Sequence, residues 1–214
     1  IKEGVMLIVD GVRYLVNKTA HPFKMYPERK MVILVIVASI PTAILGLFVE
    51  AFLQDLFMSS VIPVGVLLLV TCGLLLASQK IKIGKKRVEK ATYKDALAVG
   101  IVQGIATLPG ISRSGSTIVA GMAGGFDKEF AIRFSFLISI PAIAGAALLT
   151  LLKADFADLA ANWGPYLLGT VLSAVVGYLC IRTLLKLLQN NKFHYFGYYC
   201  GAMGLIAIAW GLFL

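Results

Sequence analysis

One short segment places an arginine among four hydroxyl residues in the middle of an otherwise apolar chain. From Pro109 to Thr117 the sequence reads Pro-Gly-Ile-Ser-Arg-Ser-Gly-Ser-Thr. A guanidinium presents N–H donors in a planar fork that matches phosphate oxygens. Hydroxyls and the free backbone N–H groups of a helix start supply further donors. The pattern therefore predicts a site for phosphate or another oxyanion.

The composition around this segment indicates an integral membrane protein. Hydrophobic residues make up 59% of the 214 residues and charged residues only 14%, whereas soluble domains carry about 25% charged residues. An arginine at membrane depth costs about 2.5–3.5 kcal/mol on insertion scales. Arg113 therefore needs a partner or a function.

The net charge of +9 does not indicate nucleic-acid binding in such a chain, because basic residues of membrane proteins concentrate in cytoplasmic loops and against anionic lipids. The three cysteines, Cys72, Cys180 and Cys200, lie far apart in apolar runs. Their spacing favours neither a disulfide framework nor a zinc site.

The chain begins with Ile1, which we interpret as a processed or truncated N-terminus.

The hydropathy pattern predicts an all-α membrane protein with about five transmembrane helices in a single polytopic domain of residues 1–214. Apolar runs long enough to span a bilayer need about 20 residues. The predicted parts are an interfacial or helix-end segment at 1–30, two spans within 31–79, a basic loop at 80–94, and three spans within 130–214. Acidic loops are expected at Glu50 and Asp55 and at Asp155 and Asp158, and a tight turn is expected at Asn190–Lys192.

Charge and length together predict a re-entrant pair of half-helices at residues 95–125. The positive-inside rule places the basic loop 80–94 in the cytoplasm. Residues 95–129 must then leave and return to the same side, yet two full spans need about 40 residues. A break near Pro109 and Gly110 resolves this conflict. Irregular backbone at membrane depth is tolerated where it lines a cavity.

Chemistry suggests a role for each candidate site residue. Arg113 clamps the phosphate groups, and Ser112 and Ser114 donate hydrogen bonds or supply the nucleophile. Gly110 permits close backbone approach, and Thr117 completes the cradle. The remaining substrate-binding candidates are Gly115, Ser116 and Gln103, the last of which could orient a water or a carboxylate. A serine nucleophile needs a base that the motif lacks, so a metal-activated water is an equal alternative.

Longer matches support a resemblance to a known family. The motif Pro109–Thr117 resembles the signature of the bacterial undecaprenyl-pyrophosphate phosphatase, or bacitracin-resistance, family. Arg133–Pro141 is similar to the family's next helix, and Pro27–Arg29 followed by Ile40–Gly46 is similar to an earlier one. The resemblance covers essentially the whole chain.

The resemblance implies a multi-pass phosphatase of the bacterial cytoplasmic membrane. Such an enzyme converts undecaprenyl pyrophosphate to undecaprenyl phosphate, the lipid carrier for cell-wall synthesis, with support from Mg²⁺ or Ca²⁺. The implied partners are polyprenyl pyrophosphate and membrane lipids, with a homodimer among the open oligomeric states. The family fold has inverted repeats, for which Ser39-Ile-Pro41 and Ser139-Ile-Pro141 are a weak internal echo.

The sequence departs from the family at its acidic motif, a carboxylate pair four residues apart followed by a Ser-rich turn and a histidine. Four residues after Glu3 stands Leu7, and His21 is followed by Pro22. The metal-binding carboxylates and the histidine are therefore expected upstream of Ile1, and the present chain alone would lack part of the catalytic set.

Two other classes of protein remain as alternatives. A secondary transporter or flippase for an anionic lipid would also use broken helices, small residues and a buried arginine. A non-catalytic membrane subunit would use the glycines only for close helix packing. Transport without phosphate release would favour the first class, and tolerance of Arg113 replacement would favour the second.

Overall fold

The computed structural model describes residues 27–154, 162–189 and 194–213. Within these ranges the chain forms seven helices and no strand. They are α1 (Pro27–Ser59), α2 (Ile62–Ala77), α3 (Tyr93–Ile105), α4 (Arg113–Ala123), α5 (Lys128–Lys153), α6 (Trp163–Gln189) and α7 (His194–Phe213), with one 3₁₀ turn at Ser78–Lys80. In the described ranges, five helices are long and apolar enough to cross a membrane, namely α1, α2, α5, α6 and α7. The prediction of an all-α membrane protein with about five spans is confirmed.

Helix α1 is longer than the sequence predicted. It begins at Pro27, inside the segment assigned to the interface, and ends at Ser59. The acidic loop predicted at Glu50 is wrong, because the chain there is helical. No glycine or proline follows Gly46 within the helix to stop it, and proline at the first helical position is readily accommodated. Residues 1–26, Asp155, Asp158 and the turn at 190–192 lie outside the described residues.

Glycines bring α2 and α7 into close contact. A Cβ atom added to Gly65 would lie 2.9 Å from the carbonyl oxygen of Gly204, and one added to Gly201 would lie 3.0 Å from the sulfur of Cys72. Only the absence of side chains permits this spacing, as is common between membrane helices. The pairing is antiparallel, because Gly197 lies beside the end of α2 whereas Gly211 lies beside its first residue, Ile62.

Helices α1 and α5 run in the same direction. At one end, Met31 and Phe130 line a common cavity. At the other end, Lys153 Nζ lies 2.9 Å from Glu50 Oε1. An inverted repeat would place equivalent helices antiparallel. The Ser-Ile-Pro echo in these two helices is therefore not the trace of an inverted repeat, and that architecture stays an implication of the family resemblance.

Helices α3 and α4 form a short antiparallel pair, with 13 and 11 residues respectively. Both outer ends meet the basic loop. The Lys86 N–H donates to the Gly125 carbonyl at 3.0 Å, and the Asp127 N–H donates to the Lys86 carbonyl at 2.9 Å. The outer end of α3 is held by Asp95, whose carboxylate lies 3.2 Å from Lys86 Nζ. The hairpin thus starts and finishes beside one loop, while its entry into a bilayer stays a prediction.

The loop predicted at 80–94 is shorter in the structure and is held in place by polar contacts. Lys80 belongs to a 3₁₀ turn, and Lys94 lies in the first turn of α3. Thr92 and Asp95 form a capping box at the start of that helix. Arg87 Nε donates to the Asp127 carboxylate at 2.7 Å. These contacts fix the outer ends of the hairpin and leave its tip, residues 106–112, to be positioned by other helices.

Candidate oxyanion site at the start of helix α4

Helix α4 begins at the predicted motif, with Ser112 as its N-cap. Ser112 has extended backbone angles (φ −69°, ψ 104°). Its Oγ accepts a hydrogen bond from the Gly115 N–H at 3.2 Å, and its carbonyl accepts from the Ser116 N–H at 2.9 Å. The backbone N–H groups of Arg113 and Ser114 have no acceptor in the helix, because a first turn has no preceding carbonyls. They add to the positive end of the helix dipole.

Arg113 is the first residue of this helix and is half-buried. Within the described residues, its guanidinium has no hydrogen bond and no ion pair. A cation that is partly withdrawn from water without a counter-ion is costly, so the arrangement favours an anionic ligand. Arg113 is thus a cation at the positive end of a helix, where an anion is doubly favoured.

Two hydroxyl residues, Ser112 and Ser114, stand on either side of Arg113 in the chain. Ser112 Oγ accepts from Gly115 but keeps its own proton for donation, because a hydroxyl is both donor and acceptor. Ser114 is half-buried in the first turn of α4. Together with the two free N–H groups, the hydroxyls make a set of hydrogen-bond donors. Such a set suits phosphate oxygens and offers no carboxylate to oppose them.

The turn before the helix requires glycine at position 110. Gly110 has a backbone φ angle of +101°, which residues other than glycine rarely adopt. A Cβ there would lie 2.5 Å from the Val64 carbonyl oxygen of α2. Gly115 is also enclosed, because its Cβ would lie 2.8 Å from Ser112 Oγ and 3.0 Å from Leu75 Cδ2. Both glycines shape the site by letting the turn and the helix start lie against α2.

Thr117 and Ser116 lie deeper than the sequence suggested. Thr117 is 1% exposed, and its hydroxyl donates to the Arg113 carbonyl at 2.9 Å and pairs with the Ser135 hydroxyl of α5. Ser116 is 3% exposed, and its hydroxyl finds no partner among the described residues. The structure gives both residues interior surroundings, and their assignment to the substrate site stays a prediction.

Gln103 ties three helices together in the interior. The side chain is fully buried. Its Nε2 donates to the Ile138 carbonyl of α5 at 3.0 Å and to Thr42 Oγ1 of α1 at 3.4 Å. Its Oε1 has no partner in the described part of the chain. Gln103 therefore occupies a structural position on α3, and its predicted contact with substrate stays a prediction.

The donor set at α4 does not fit a divalent cation. Mg²⁺ and Ca²⁺ are bound by oxygen ligands, chiefly carboxylates, whereas this helix start presents N–H groups, hydroxyls and a guanidinium. Across the described ranges, no group of three or more His, Cys, Asp or Glu side chains could hold a metal ion. The metal requirement implied by the resemblance stays a prediction.

Sequence reasoning missed Thr71, which contacts the site from α2. Thr71 Oγ1 donates to the Gly110 carbonyl at 3.0 Å and accepts from the Ser112 N–H at 3.1 Å. Thr71 is the one hydroxyl residue in the apolar sequence of α2. An isolated hydroxyl in an apolar helix is the signal that could have indicated Thr71, but the sequence does not identify its partner.

Comparison with known proteins identifies the family of the chain. The family profile described as "Bacitracin resistance protein BacA" matches residues 5–206, a range that includes the whole of α4 and the turn before it. The chain belongs to the BacA family. A relative from Halothermothrix orenii, named Undecaprenyl-diphosphatase, is 45% identical over 182 residues, which are 85% of this chain and 70% of the relative.

Two further relatives carry the same name. The protein from Alkaliphilus metalliredigens is 40% identical over 214 residues, covering 99% of this chain and 75% of the relative. The protein from Methanothermobacter thermautotrophicus is 41% identical over 179 residues, covering 82% of this chain and 98% of the relative. In both comparisons the alignment extends far beyond the Arg113 motif.

Proposed function

We propose that this protein is an undecaprenyl-diphosphatase of the cytoplasmic membrane. It hydrolyses undecaprenyl pyrophosphate to undecaprenyl phosphate and inorganic phosphate, which recycles the lipid carrier for cell-wall synthesis. The observation that carries the proposal is the half-buried Arg113, which has no partner among the described residues and lies at the N-terminus of α4. Membership of the BacA family and the shared name of its relatives support the same activity.

The depth of the site suits a lipid pyrophosphate. The 13 residues of α3 rise about 20 Å at 1.5 Å per residue. A hydrocarbon core is about 30 Å thick. With both outer ends of the hairpin at one membrane surface, the tip and Arg113 would lie beyond the middle of the bilayer. A cavity there would admit a headgroup attached to a polyprenyl chain that stays in the lipid.

In this proposal, Arg113 binds two phosphate oxygens and stabilises the charge that develops on the transferring phosphoryl group. The N–H groups of Arg113 and Ser114 and the hydroxyls of Ser112 and Ser114 donate to the remaining oxygens. The bond between the terminal phosphorus and the bridging oxygen breaks, and undecaprenyl phosphate leaves with the electron pair. Either a water molecule forms the new bond to the terminal phosphorus, which gives inorganic phosphate directly, or one of the two serine hydroxyls forms it and water then hydrolyses the resulting phosphoserine; in both routes the proton of the nucleophile passes to solvent.

Phosphate release from undecaprenyl pyrophosphate in detergent tests the proposal. The wild-type protein is compared with Arg113→Ala, Arg113→Lys and the exposed control Arg182→Ala. We expect Arg113→Ala to lower kcat by about 10²–10³-fold, the usual cost of losing one transition-state donor. Arg113→Lys keeps the charge but not the planar fork, so its kcat should stay well below that of wild type. Arg182→Ala should match wild type.

Two outcomes would contradict the proposal. Near-normal turnover by Arg113→Ala would show that Arg113 does not bind and stabilise the transferring phosphoryl group. Uptake of an anionic lipid into liposomes without phosphate release by the wild-type protein would instead support a transporter, in which a buried arginine and a broken helix bind a cargo rather than react with it.

A further inference from the structure

Thr71 makes hydrogen bonds that are unusual for a hydroxyl in a helix. Serine and threonine inside helices commonly bond to a carbonyl four residues earlier in the same helix, as Thr150, Thr170 and Thr183 do here. Thr71 is 1% exposed, and its hydroxyl instead reaches the α3–α4 turn. It donates to the Gly110 carbonyl at 3.0 Å and accepts from the Ser112 N–H at 3.1 Å.

These two bonds hold the backbone on both sides of Ile111. The carbonyl of Gly110 belongs to the residue with a φ of +101°, and the N–H of Ser112 belongs to the N-cap of α4. A single hydroxyl acts as donor to one peptide group and acceptor from another, which uses its one O–H donor and one of its two acceptor lone pairs. Thr71 thereby fixes the turn relative to α2.

The position of the N-cap determines the position of Arg113. Ser112 Oγ reaches the Gly115 N–H only while the Ser112 backbone stays extended. Arg113 is the next residue, so a shift of Ser112 moves the guanidinium and the two free N–H groups together. A displacement of about 1 Å in a catalytic group can cost about 100-fold in rate. A bond to the backbone of Ser112 is therefore well placed to control catalysis.

We propose that Thr71 is a positioning residue for phosphoryl transfer, which acts by holding Gly110 and Ser112 so that α4 starts with Arg113 in its reactive place. The proposal rests on the proposed phosphatase function. Thr71 touches no substrate in this scheme. It sets the geometry of donors that must match the transition state more closely than the bound substrate, so its loss should lower kcat more than it changes KM.

The test compares wild type with Thr71→Val, Thr71→Ser and the control Thr183→Val. Thr71→Val keeps the shape but removes the hydroxyl, and we expect kcat to fall about 10–100-fold, a loss typical of misplaced catalytic groups. The KM should stay near the wild-type value. Thr71→Ser keeps the hydroxyl and should restore most of kcat. Thr183→Val removes a hydroxyl that bonds only within α6 and should match wild type.

Thermal unfolding of each variant separates positioning from folding. A merely structural role would lower Tm in Thr71→Val while kcat per folded molecule stayed at the wild-type value, and that result would overturn the proposal. Loss of activity in Thr71→Ser with a wild-type Tm would also overturn it. If Thr71→Val does not fold, Thr71→Cys replaces it, because a thiol is a weaker donor and acceptor and should give an intermediate kcat. Absence of phosphate release both by this chain and by a version restored at its N-terminus would refute the phosphatase function instead.

Discussion

Gly84 and Gly125 lie against each other with only backbone between them. A Cβ atom on Gly84 would lie 1.9 Å from the carbonyl oxygen of Gly125, and Gly125 itself has a φ of +88°. Beside this contact, the backbone of Lys86 hydrogen-bonds to the two neighbours of Phe126: its N–H donates to the Gly125 carbonyl, and its carbonyl accepts from the Asp127 N–H. The basic loop is thus attached directly to the turn that ends α4, and the outer end of the hairpin depends on two residues without side chains.

Gly84→Ala should therefore loosen the α4 end of the hairpin. The new methyl group cannot fit against Gly125, and overpacking of this kind usually costs about 1–3 kcal/mol of folding free energy. We expect a lower Tm by thermal unfolding in detergent and lower phosphate release. Gly169→Ala is the matched control, because nothing lies within 4 Å of its added Cβ. An unchanged Tm in Gly84→Ala would show that the loop does not rest on the turn.

Replacing Gln103 by methionine separates a structural role from substrate binding. The new side chain fills similar space but loses the hydrogen bonds from Gln103 Nε2 to the Ile138 carbonyl and to Thr42 Oγ1. A typical hydrogen bond contributes about 0.5–1.5 kcal/mol to stability. Because Gln103 is fully buried, we expect a lower Tm with an unchanged KM. The exposed Gln79→Met variant should behave as wild type. A raised KM at wild-type Tm would instead support the predicted contact with substrate.

The capping box of α3 should make stability depend on pH in the acidic range. Burial acts to raise the pKa of the Asp95 carboxyl, but hydrogen bonds from the backbone and hydroxyl of Thr92, together with Lys86, lower it below its ordinary value of 3.8. A carboxyl whose pKa is lower in the folded state stabilises the fold above its unfolded pKa and loses that contribution as pH falls through the folded value.

Wild-type Tm should thus fall on acidification below about pH 4, the unfolded pKa of aspartate. The fall should be smaller in Asp95→Asn, which has no proton to gain at that position and is less stable than wild type at neutral pH. Circular dichroism melts at stepped pH values measure both effects. Parallel Tm-against-pH curves for the two proteins would contradict a role for the Asp95 charge.

The two outer ends of the hairpin should face the same side of the membrane. In a variant without Cys72, Cys180 and Cys200, single cysteines at Lys90 and Glu129 should react with a membrane-impermeant thiol reagent from one side only. A cysteine at Ser59 should react from the other side, since Ser59 is the last residue of α1 and lies beyond the candidate span Arg29–Leu53. All three positions are exposed. Labelling of Lys90→Cys and Glu129→Cys from different sides would exclude the re-entrant arrangement.

The sequence predicted features that depend on local composition. Apolar length predicted the spans, and the clustering of serine, glycine and arginine predicted a helix start at the motif, which the N-cap at Ser112 confirms. The extent of α1 was misjudged because Glu50 suggested a loop, although a charged residue at the end of a long helix can pair across it, as Glu50 does with Lys153.

Features that depend on distant partners were not predictable in the same way. Thr71 is separated from Ser112 by 41 positions, and nothing near Thr71 in the sequence indicates which carbonyl its hydroxyl will reach. Gln103 and Thr117 are polar and stand beside the motif, so the sequence placed them in the site. The structure instead buries both, because the faces of α3 and α4 that carry them pack against α1 and α5.

The residues that contact the hairpin tip precede it in the sequence or follow it, and this sets the order in which they are synthesised. The α2 residues that contact the turn and the start of α4, among them Val64, Thr71 and Leu75, are all synthesised before the turn itself. Chains are made from the N-terminus at about 5–20 residues per second. The α2 surface that contacts Pro109–Thr117 is therefore complete in sequence before that segment is made, whereas Ser135 of α5, which pairs with Thr117, is made only afterwards. The contacts between the turn and α2 can thus form while the ribosome is still adding the last three long helices.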